Sequence, residues 1–322
     1  MTWVISRQYR ATAAIAGAIL AAFAILLLIT GLQDAARWHA ALANCAKNGT
    51  CGSLSQTVSL RSGPLDTLTV LTLAVPLLFG MFWGGPAVAR ERETATVQFA
   101  WTRSVTRRRW LSVKTDWLLL AGAVFGGAVA GIVTWWYGPL NALHQCQFLP
   151  GNFDIQGIVP IGYAVFAVAL GFAAGTLIGR TLPALAVTGG VFLAVRLATT
   201  YWVRVHYMPA VTTIYSVTRS LTSKGAFWPI ARGVVLPGGQ LSTSLVVRPW
   251  NISGTIPASC PPAQGQENAT LACLARLGYR SFMTGQPGYR FWPFQFIETG
   301  IFVALAATLI AVTFLVVRRR DA

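Results

Sequence analysis

The chain has 322 residues, of which 54% are hydrophobic and only 11% are charged. Its mean hydropathy of +0.57 leaves more apolar surface than a soluble core of this size can hide. The net charge of +16 does not indicate a nucleic-acid partner, because the cations gather in short connections and not on an aromatic-rich soluble surface. Composition therefore excludes a soluble protein and indicates a membrane protein.

Apolar runs of about 20 residues, the length that crosses roughly 30 Å of hydrocarbon, recur along the chain. The first could also be the core of a signal peptide, but its length favours a retained helix. We predict an all-α polytopic membrane protein with a small mixed extracellular domain between helices five and six. The six transmembrane helices are predicted at 11–32, 67–88, 116–137, 158–179, 182–202 and 296–317.

The distribution of cations predicts the orientation in the membrane. Short connections rich in Lys and Arg face the cytoplasm, and such connections lie at the start, around residues 90–114, at Arg180 and at the end. Both termini are then cytoplasmic, in a multi-pass protein of a cell membrane, expected to be a bacterial inner membrane. The predicted organisation is 1–202 for helices one to five, with a cytoplasmic loop at 89–115, then 203–295 for the extracellular domain, and 296–322 for helix six and a basic tail.

The five cysteines all fall in segments predicted to be extracellular, which fits an oxidising compartment. The local pairs Cys45–Cys51 and Cys260–Cys273 are candidate disulfides, and Cys146 is left over. Sequence alone does not determine the connectivity. No Cys and His spacing typical of a metal site is present.

Glycines four residues apart recur in three predicted spans, and such small-residue seams let membrane helices approach closely. They predict a tight bundle, in which Pro76 kinks the second helix. The pairs are Gly80–Gly84, Gly122–Gly126, Gly127–Gly131 and the series Gly171–Gly175–Gly179.

No motif for catalysis occurs in the sequence. There is no phosphate-binding loop of the GxxxxGK[ST] type, no HExxH and no GxSxG. An intramembrane enzyme would need an acid, base, nucleophile or metal set, and we assign no catalytic residue. An energy source for any work done by this protein is therefore expected on another chain.

The stretch FWGGPAVARERETATVQFAWTRSVTRRRWLSVK, residues 82–114, combines many cations with two glutamates. Anchoring in anionic lipid explains Arg107, Arg108, Arg109 and Lys114. It does not explain Glu91 and Glu93, which lipid headgroups would repel. A short helix held at the inner membrane face is a surface for a cytoplasmic partner.

This stretch resembles the cytoplasmic signature of ABC-2-type transporter permeases, as do the opening MTW...RQYR and the segment VFLAVRLATTYWVRVHYMPA. The resemblance covers nearly the whole chain and is closest to an actinobacterial-like set. It implies the membrane subunit of an ABC exporter that pairs with a second permease chain in a dimer. It also implies two copies of a separate ABC ATPase subunit, which would carry the ATP and Mg, so this chain is not itself an enzyme.

In the family, the first cytoplasmic loop forms a coupling helix that docks into the ATPase. The resemblance transfers this role to Arg90, Glu91, Arg92, Glu93, Thr94, Thr96 and Trp101. One departure is Ala95, where the family often has Gly, and it leaves the end of the coupling helix uncertain.

Two charges lie inside predicted spans, Arg196 in the fifth and Glu298 near the start of the sixth. Charged groups in a bilayer usually find a partner or line a water-filled cavity. Arg196 and Glu298 are therefore candidates for a transmembrane pair or for a position on the exit path. The alternative is that Arg196 snorkels outward and Glu298 lies at the interface.

The leading functional hypothesis is the permease of an ATP-driven exporter that moves an amphipathic compound, such as a drug, antibiotic, peptide or lipid, outward. The alternative is a non-transporting permease that senses or transmits force through its extracellular domain. The sequence has no signature that identifies a substrate.

Overall fold

The computed structural model describes residues 21–33, 70–93, 107–144, 150–218, 227–248, 251–263 and 265–320, with the single positions 14, 17, 18, 36, 40, 43 and 148. The chain divides into two compact units. We call them the helical unit (Met1–Leu143, Pro150–Thr200 and Pro293–Ala322) and the sheet unit (His144–Leu149 and Tyr201–Trp292).

The helices and strands of the described residues are as follows in chain order. They are α1 (Ala21–Gln33), α2 (70–79), a π-helical segment (Gly80–Gly84), α3 (Pro86–Glu93), α4 (Arg107–His144), α5 (Pro150–Phe153), α6 (Val159–Ile178), α7 (Thr181–Ala198) with its π-helical and 3-10 extension (Thr199–His206), β1 (Val211–Ser216), β2 (Phe227–Val235), β3 (Leu241–Ser242), β4 (Leu245–Arg248), β5 (Asn251–Gly254), α8 (Glu267–Arg276), β6 (Arg280–Pro287) and α9 (Phe291–Arg320).

Within the described residues, five helical segments are long and apolar enough to cross a membrane, and they correspond to predicted spans two to six. They are Val70–Arg90, Arg109–Gly138, Val159–Ile178, Thr181–His206 and Gly288–Arg319. Of the first predicted span, only the shorter apolar helix Ala21–Gln33 is described as a continuous segment. Helix α4 begins at Arg107, well before the predicted position 116, because the intervening residues are compatible with a helix and include no Pro or Gly.

Helix α6 is the most buried of the candidate spans in the described part of the chain. Of its apolar 18-residue stretch, 78% is buried inside the protein. Its residues are apolar on all sides, which is typical of a helix surrounded by others. Pro160 stands in its first turn, where a missing N–H costs nothing. Gly179 ends the helix with a φ of +71°, and its N–H donates to the carbonyl of Gly175.

The π-helical segment and α3 pack directly on α6 through glycines from both sides. A Cβ on Gly84 would come within 2.7 Å of the Val168 carbonyl oxygen, and a Cβ on Gly171 would meet the carbonyl of Gly80 and the N–H of Gly85. These contacts confirm the tight packing predicted from the glycines of these spans, and the structure shows that the second and fourth spans pack on each other. Gly131 makes no such close contact, because a Cβ there would meet no described atom within 4 Å.

The sheet unit contains a four-stranded antiparallel sheet in the order β1–β6–β2–β3 and a separate β4–β5 hairpin. A turn that contains Pro237, Gly238 and Gly239 connects β2 to β3, with Gly239 at a φ of +83°. Helix α8 ends at Arg276, and Gly278, with a φ of +82°, leads the chain into β6.

An apolar core holds the sheet unit together and includes Val217, Val234, Leu245, Ile252 and Leu274. Burial of each such side chain stabilises a water-exposed domain by roughly 1.5–3 kcal/mol. A disulfide between Cys260 and Cys273 ties the segment before α8 to the helix. The other candidate pair, Cys45–Cys51, and Cys146 lie outside the described residues.

Candidate functional site

Helix α3 is joined to the start of helix α7 by the side chain of Glu93. Its Oε1 accepts a hydrogen bond from the backbone N–H of Thr181 at 2.8 Å, and its Oε2 accepts one from the Thr181 hydroxyl at 2.7 Å. The N-cap residue Arg180 makes no side-chain cap of its own, so Glu93 satisfies a backbone donor that the helix leaves unpaired. A carboxylate is also favoured there by the helix dipole.

The hydrogen bonds change the acidity of this exposed carboxyl. The bond from the Thr181 backbone, followed by that from its hydroxyl, holds the pKa of Glu93 below its usual value, and the charge of Arg180 acts in the same direction. The assignment of Glu93 to the partner surface stays a prediction. Within the described residues, its carboxylate contacts another helix of the same chain.

Only part of the predicted coupling surface belongs to the described residues. Arg90 and Glu93 are exposed on α3. All seven assignments stay predictions. Glu91 and Arg92 have their backbone in α3 but side chains outside the described part, and Thr94, Thr96 and Trp101 lie wholly outside it.

Lys114 does not lie where lipid anchoring would place it. The residue is 1% exposed, and its Nζ lies 4.7 Å from the ring centroid of Trp110. Helix α4 carries Leu111 and Leu118 on the same side, three residues before and four after, and both belong to the apolar cluster that includes Phe172 of α6. The interpretation of Lys114 as a lipid-facing anchor is therefore wrong.

A buried ion pair joins α7 to the segment that follows α5. Nη2 of Arg196 lies 3.4 Å from Oδ2 of Asp154, and the two residues are 8% and 6% exposed. Nη1 of Arg196 donates to the carbonyl oxygen of Leu73 at 2.6 Å. That carbonyl belongs to α2, three residues before Pro76. Arg196 thus connects α7 both to α2 and to Asp154.

Glu298 belongs to the same network without being the ion-pair partner of Arg196. It is 0% exposed, and its Oε1 lies 2.5 Å from the hydroxyl of Tyr163. The same hydroxyl is 3.3 Å from Oδ1 of Asp154, and the guanidinium of Arg196 lies over the Tyr163 ring at 4.7 Å. The structure therefore brings the two predicted charges together through Tyr163, but the carboxylate that pairs with Arg196 is that of Asp154. Snorkelling of Arg196 is not observed, since the side chain is buried.

Gln295, one turn before Glu298, fixes the start of α6. Its Oε1 accepts hydrogen bonds from the N–H groups of Ile158 and Val159, each at 2.9 Å, and its Nε2 donates to the carbonyl of Phe153 at 3.1 Å. Gly157 has a φ of +68°, and a Cβ there would lie 2.6 Å from the Gln295 oxygen. This close fit fixes the turn at Gly157, which Asp154 precedes and Tyr163 follows along the chain.

A small cavity borders the ion pair. Asp154 and Arg196 lie at its wall, which is otherwise mostly apolar and includes Pro76, Phe125 and Ala164. Its volume leaves room for about one water molecule. A cavity of this size can hold a water molecule beside the pair, but it does not accommodate a drug-sized compound.

Sequence reasoning missed three members of this network: Asp154, Tyr163 and Gln295. Asp154 lay in the connection between the third and fourth predicted spans. Nothing in the sequence distinguished Tyr163 from other aromatic residues of an apolar span. A usable signal was the scarcity of acidic residues, nine in the whole chain. An acid next to a span in so apolar a chain is a natural candidate partner for Arg196.

The model of the ABC-2 membrane transporter related family matches residues 17–204, more than half of the chain. No curated protein and no solved structure shows a significant match. The chain therefore belongs to the ABC-2 membrane transporter related family. Its apolar helices agree with a multi-pass membrane subunit, a class that is typically not itself catalytic.

Proposed function

We propose that this chain is the membrane-spanning subunit of an ATP-driven exporter whose ATPase is a separate polypeptide. The observation that carries the proposal is the family match over residues 17–204, a range that includes α3, Asp154 and Arg196. ATP and Mg would bind the partner, in two copies for a dimer of permease chains. The expected substrate is an amphipathic compound moved outward across the cell membrane.

The contact between Glu93 and Thr181 supports a coupling role for the region after α3. A push on the loop that follows Glu93 would be transmitted to the first turn of α7, because two hydrogen bonds join them. Helix α7 carries Arg196 in its last turn, so the buried ion pair would hold that end of the helix while its first turn moves. An ATPase that closes on this loop would thereby act on the bundle.

The test is to purify the full chain from its native membrane in mild detergent and to identify subunits present in stoichiometric amounts. We expect a subunit with a phosphate-binding loop, and ATP hydrolysis that depends on both chains after reconstitution in lipid vesicles. Uptake of fluorescent amphipathic compounds into inside-out vesicles then measures transport. Hydrolysis and a stable complex without transport of any compound would favour the sensing alternative over the exporter.

A charge reversal at α3 tests the docking surface. Arg90→Glu changes an exposed residue of α3, whereas Arg276→Glu changes an exposed residue of α8 in the sheet unit and serves as the matched control. We expect Arg90→Glu to reduce retention of the ATPase at least tenfold and Arg276→Glu to leave it unchanged. Equal retention by both variants would remove α3 from the docking surface, and absence of any ATPase in the unmodified complex would contradict the proposal as a whole.

A further inference from the structure

Four exposed aromatic side chains lie at the two points where the chain enters and leaves the sheet unit. They are Tyr201, Trp202, Tyr289 and Trp292, which are between 53% and 76% exposed and all belong to the sheet unit. We propose that these four residues, which we call the aromatic collar, bind the phospholipid headgroup region of the membrane and thereby set the depth at which α7 and α9 cross it. The inference goes beyond the proposed function, because it requires neither an ATPase nor a transported substrate.

The exposed side chains of both helices change in type towards the collar. On α7, the exposed aliphatic residues Leu193 and Leu197 are followed by two collar residues. On α9 the order is reversed, since two collar residues are followed by exposed Phe296 and Val303. Aliphatic side chains suit hydrocarbon, whereas Tyr and Trp combine an apolar ring with a polar O–H or N–H and are enriched at headgroup level. The change in type on both helices therefore indicates a membrane boundary at the collar.

Hydrogen bonds fix the segment that follows the α7 extension to the residues that precede α9. Nη1 of Arg290 donates to the carbonyl oxygen of Pro209 at 2.6 Å and to Oε1 of Gln286 at 2.7 Å. Nε2 of Gln286 donates to the carbonyl oxygen of Met208 at 2.7 Å. The guanidinium of Arg290 also lies 5.7 Å from the ring centroid of Tyr289, within the range of a cation–π contact. The two halves of the collar are therefore held to each other.

The extent of the collar along the helices matches the thickness of the headgroup region. The α7 extension ends at His206, five residues after Tyr201, which corresponds to roughly 7 Å of helical rise. On α9, Trp292 is the second residue of the helix. The headgroup region is roughly 5–8 Å thick on each side of the hydrocarbon, so all four side chains can lie in it together.

The length of the two spans leaves their depth open, and the collar decides it. The segments Thr181–His206 and Gly288–Arg319 have 26 and 32 residues, whereas a crossing takes about 17–25 residues. Counted from the collar, that length leads back along α7 to its start at Thr181, beside Arg180, and along α9 to the residues just before Arg318. Cationic side chains are favoured at a membrane boundary. Both counts thus end at a second plausible boundary.

A second copy of this chain or another protein would be an alternative occupant of the collar. Lipid is favoured because the collar residues belong to two segments that are long and apolar enough to cross a membrane, so the bilayer surrounds the helices next to them. Each collar residue also carries an O–H or N–H, which a dry protein interface would have to pair. Headgroups and water pair these groups without a matching surface.

Quenching of tryptophan fluorescence by spin-labelled lipids tests the position of the collar. The full chain is placed in vesicles of phosphatidylcholine and phosphatidylglycerol that carry the label either near the headgroup or at the end of the acyl chain. The fluorescence removed by Trp202→Phe, and that removed by Trp292→Phe, gives the signal of each residue. We expect the label near the headgroup to quench both signals about twofold more strongly, because nearly half the hydrocarbon thickness separates the two labels.

Two substitutions that each add a tryptophan supply a matched control. Tyr289→Trp changes the collar, whereas Leu277→Trp changes an exposed residue that follows α8 and precedes β6. We expect the added signal of Tyr289→Trp to be quenched like that of Trp202, and the added signal of Leu277→Trp to be quenched by neither label. Absence of quenching at all three collar positions would mean that water or protein covers the collar, and stronger quenching by the deep label would place it inside the hydrocarbon. Either result would overturn the proposal.

Labelling with a membrane-impermeant maleimide tests the same surface without fluorescence. Tyr289→Cys and Arg276→Cys each add a thiol at an exposed position of the sheet unit, and their rates in vesicles are divided by those of the unfolded chains. Labelling of the native cysteines is subtracted with the unmodified protein. We expect Tyr289→Cys to react about tenfold more slowly than Arg276→Cys, because headgroups limit access and the reactive thiolate forms less readily there than in water. Equal rates would contradict contact of the collar with lipid.

Discussion

The two ends of helix α7 make charged contacts of similar geometry in opposite environments. At its first turn, the exposed carboxylate of Glu93 accepts two hydrogen bonds from Thr181. In its last turn, the guanidinium of Arg196 contacts Asp154 and Leu73 almost completely out of solvent. Exposed contacts of this kind contribute little because water and salt compete for the charges. Loss of one partner from a buried contact is strongly destabilising, because the remaining charge is left unpaired away from water.

This difference suggests different roles for the two ends. A contact that water can replace is able to form and break during a cycle, whereas a buried contact of three elements keeps its geometry. The start of α7 is then the movable junction with α3, and the Arg196 end is the fixed one. Substitutions at each end of α7 test this difference.

The largest effect is expected for Asp154→Ala, which removes the carboxylate and leaves Arg196 buried without it. The loss of stability should be about 3–5 kcal/mol, seen as a lower midpoint of thermal unfolding in detergent. Asp116→Ala, which removes an exposed carboxylate of α4, should change stability by less than about 0.5 kcal/mol. Equal effects of the two substitutions would show that the ion pair does not fix this end of α7.

The double variant Asp154→Leu with Arg196→Met removes both charges and replaces them with apolar side chains. It should be less destabilised than the variant with either single substitution, because neither charge is stranded. A double-mutant cycle from the same unfolding measurements gives the coupling, expected to be on the order of 1–3 kcal/mol. Simple additivity would mean that the 3.4 Å contact contributes nothing.

The position of α3 depends on the glycine contacts with α6 that the π-helical segment and Gly85 make just before it. Gly171→Ala would place a methyl group against the Gly80 carbonyl and the Gly85 N–H, and it should cost about 1–3 kcal/mol. Gly131→Ala meets open space among the described residues and should be neutral or stabilising by about 0.5–1 kcal/mol. If both substitutions changed stability equally, the contact with α6 would not be a rigid support for α3.

The smallest effect is expected at the exposed end, for Glu93→Gln. Since the folded protein lowers the pKa of Glu93, its contribution to stability is full above the unfolded value of about 4.5 and is lost as pH falls through the folded value. Unfolding midpoints of the variant and the unmodified protein should therefore differ slightly at neutral pH and converge in acid. Thr181→Val, which keeps the backbone donor, should have a still smaller effect. A difference in unfolding midpoint that grows as the pH falls would contradict the role of Glu93 as a cap of α7.

Much of the architecture follows from the sequence alone. Apolar runs of membrane length predicted the second to sixth candidate spans, because crossing hydrocarbon requires a minimum helix length whatever the tertiary structure. Glycines four residues apart predicted a tight bundle, since small residues let helix backbones approach closely. The stretch at residues 82–114 indicated the family to which the chain belongs.

Only the tertiary structure decided which polar groups meet. Periodicity describes one helix at a time, and it could not show that Asp154 turns inward from a predicted loop or that Tyr163 stands between two carboxyls. Nor could it show that Glu93 caps a helix 88 residues further along the chain or that Lys114 is buried. These contacts join residues distant in sequence, and they depend on how the helices are placed around α6. The helix positions arise from the packing of the whole unit and not from any local pattern.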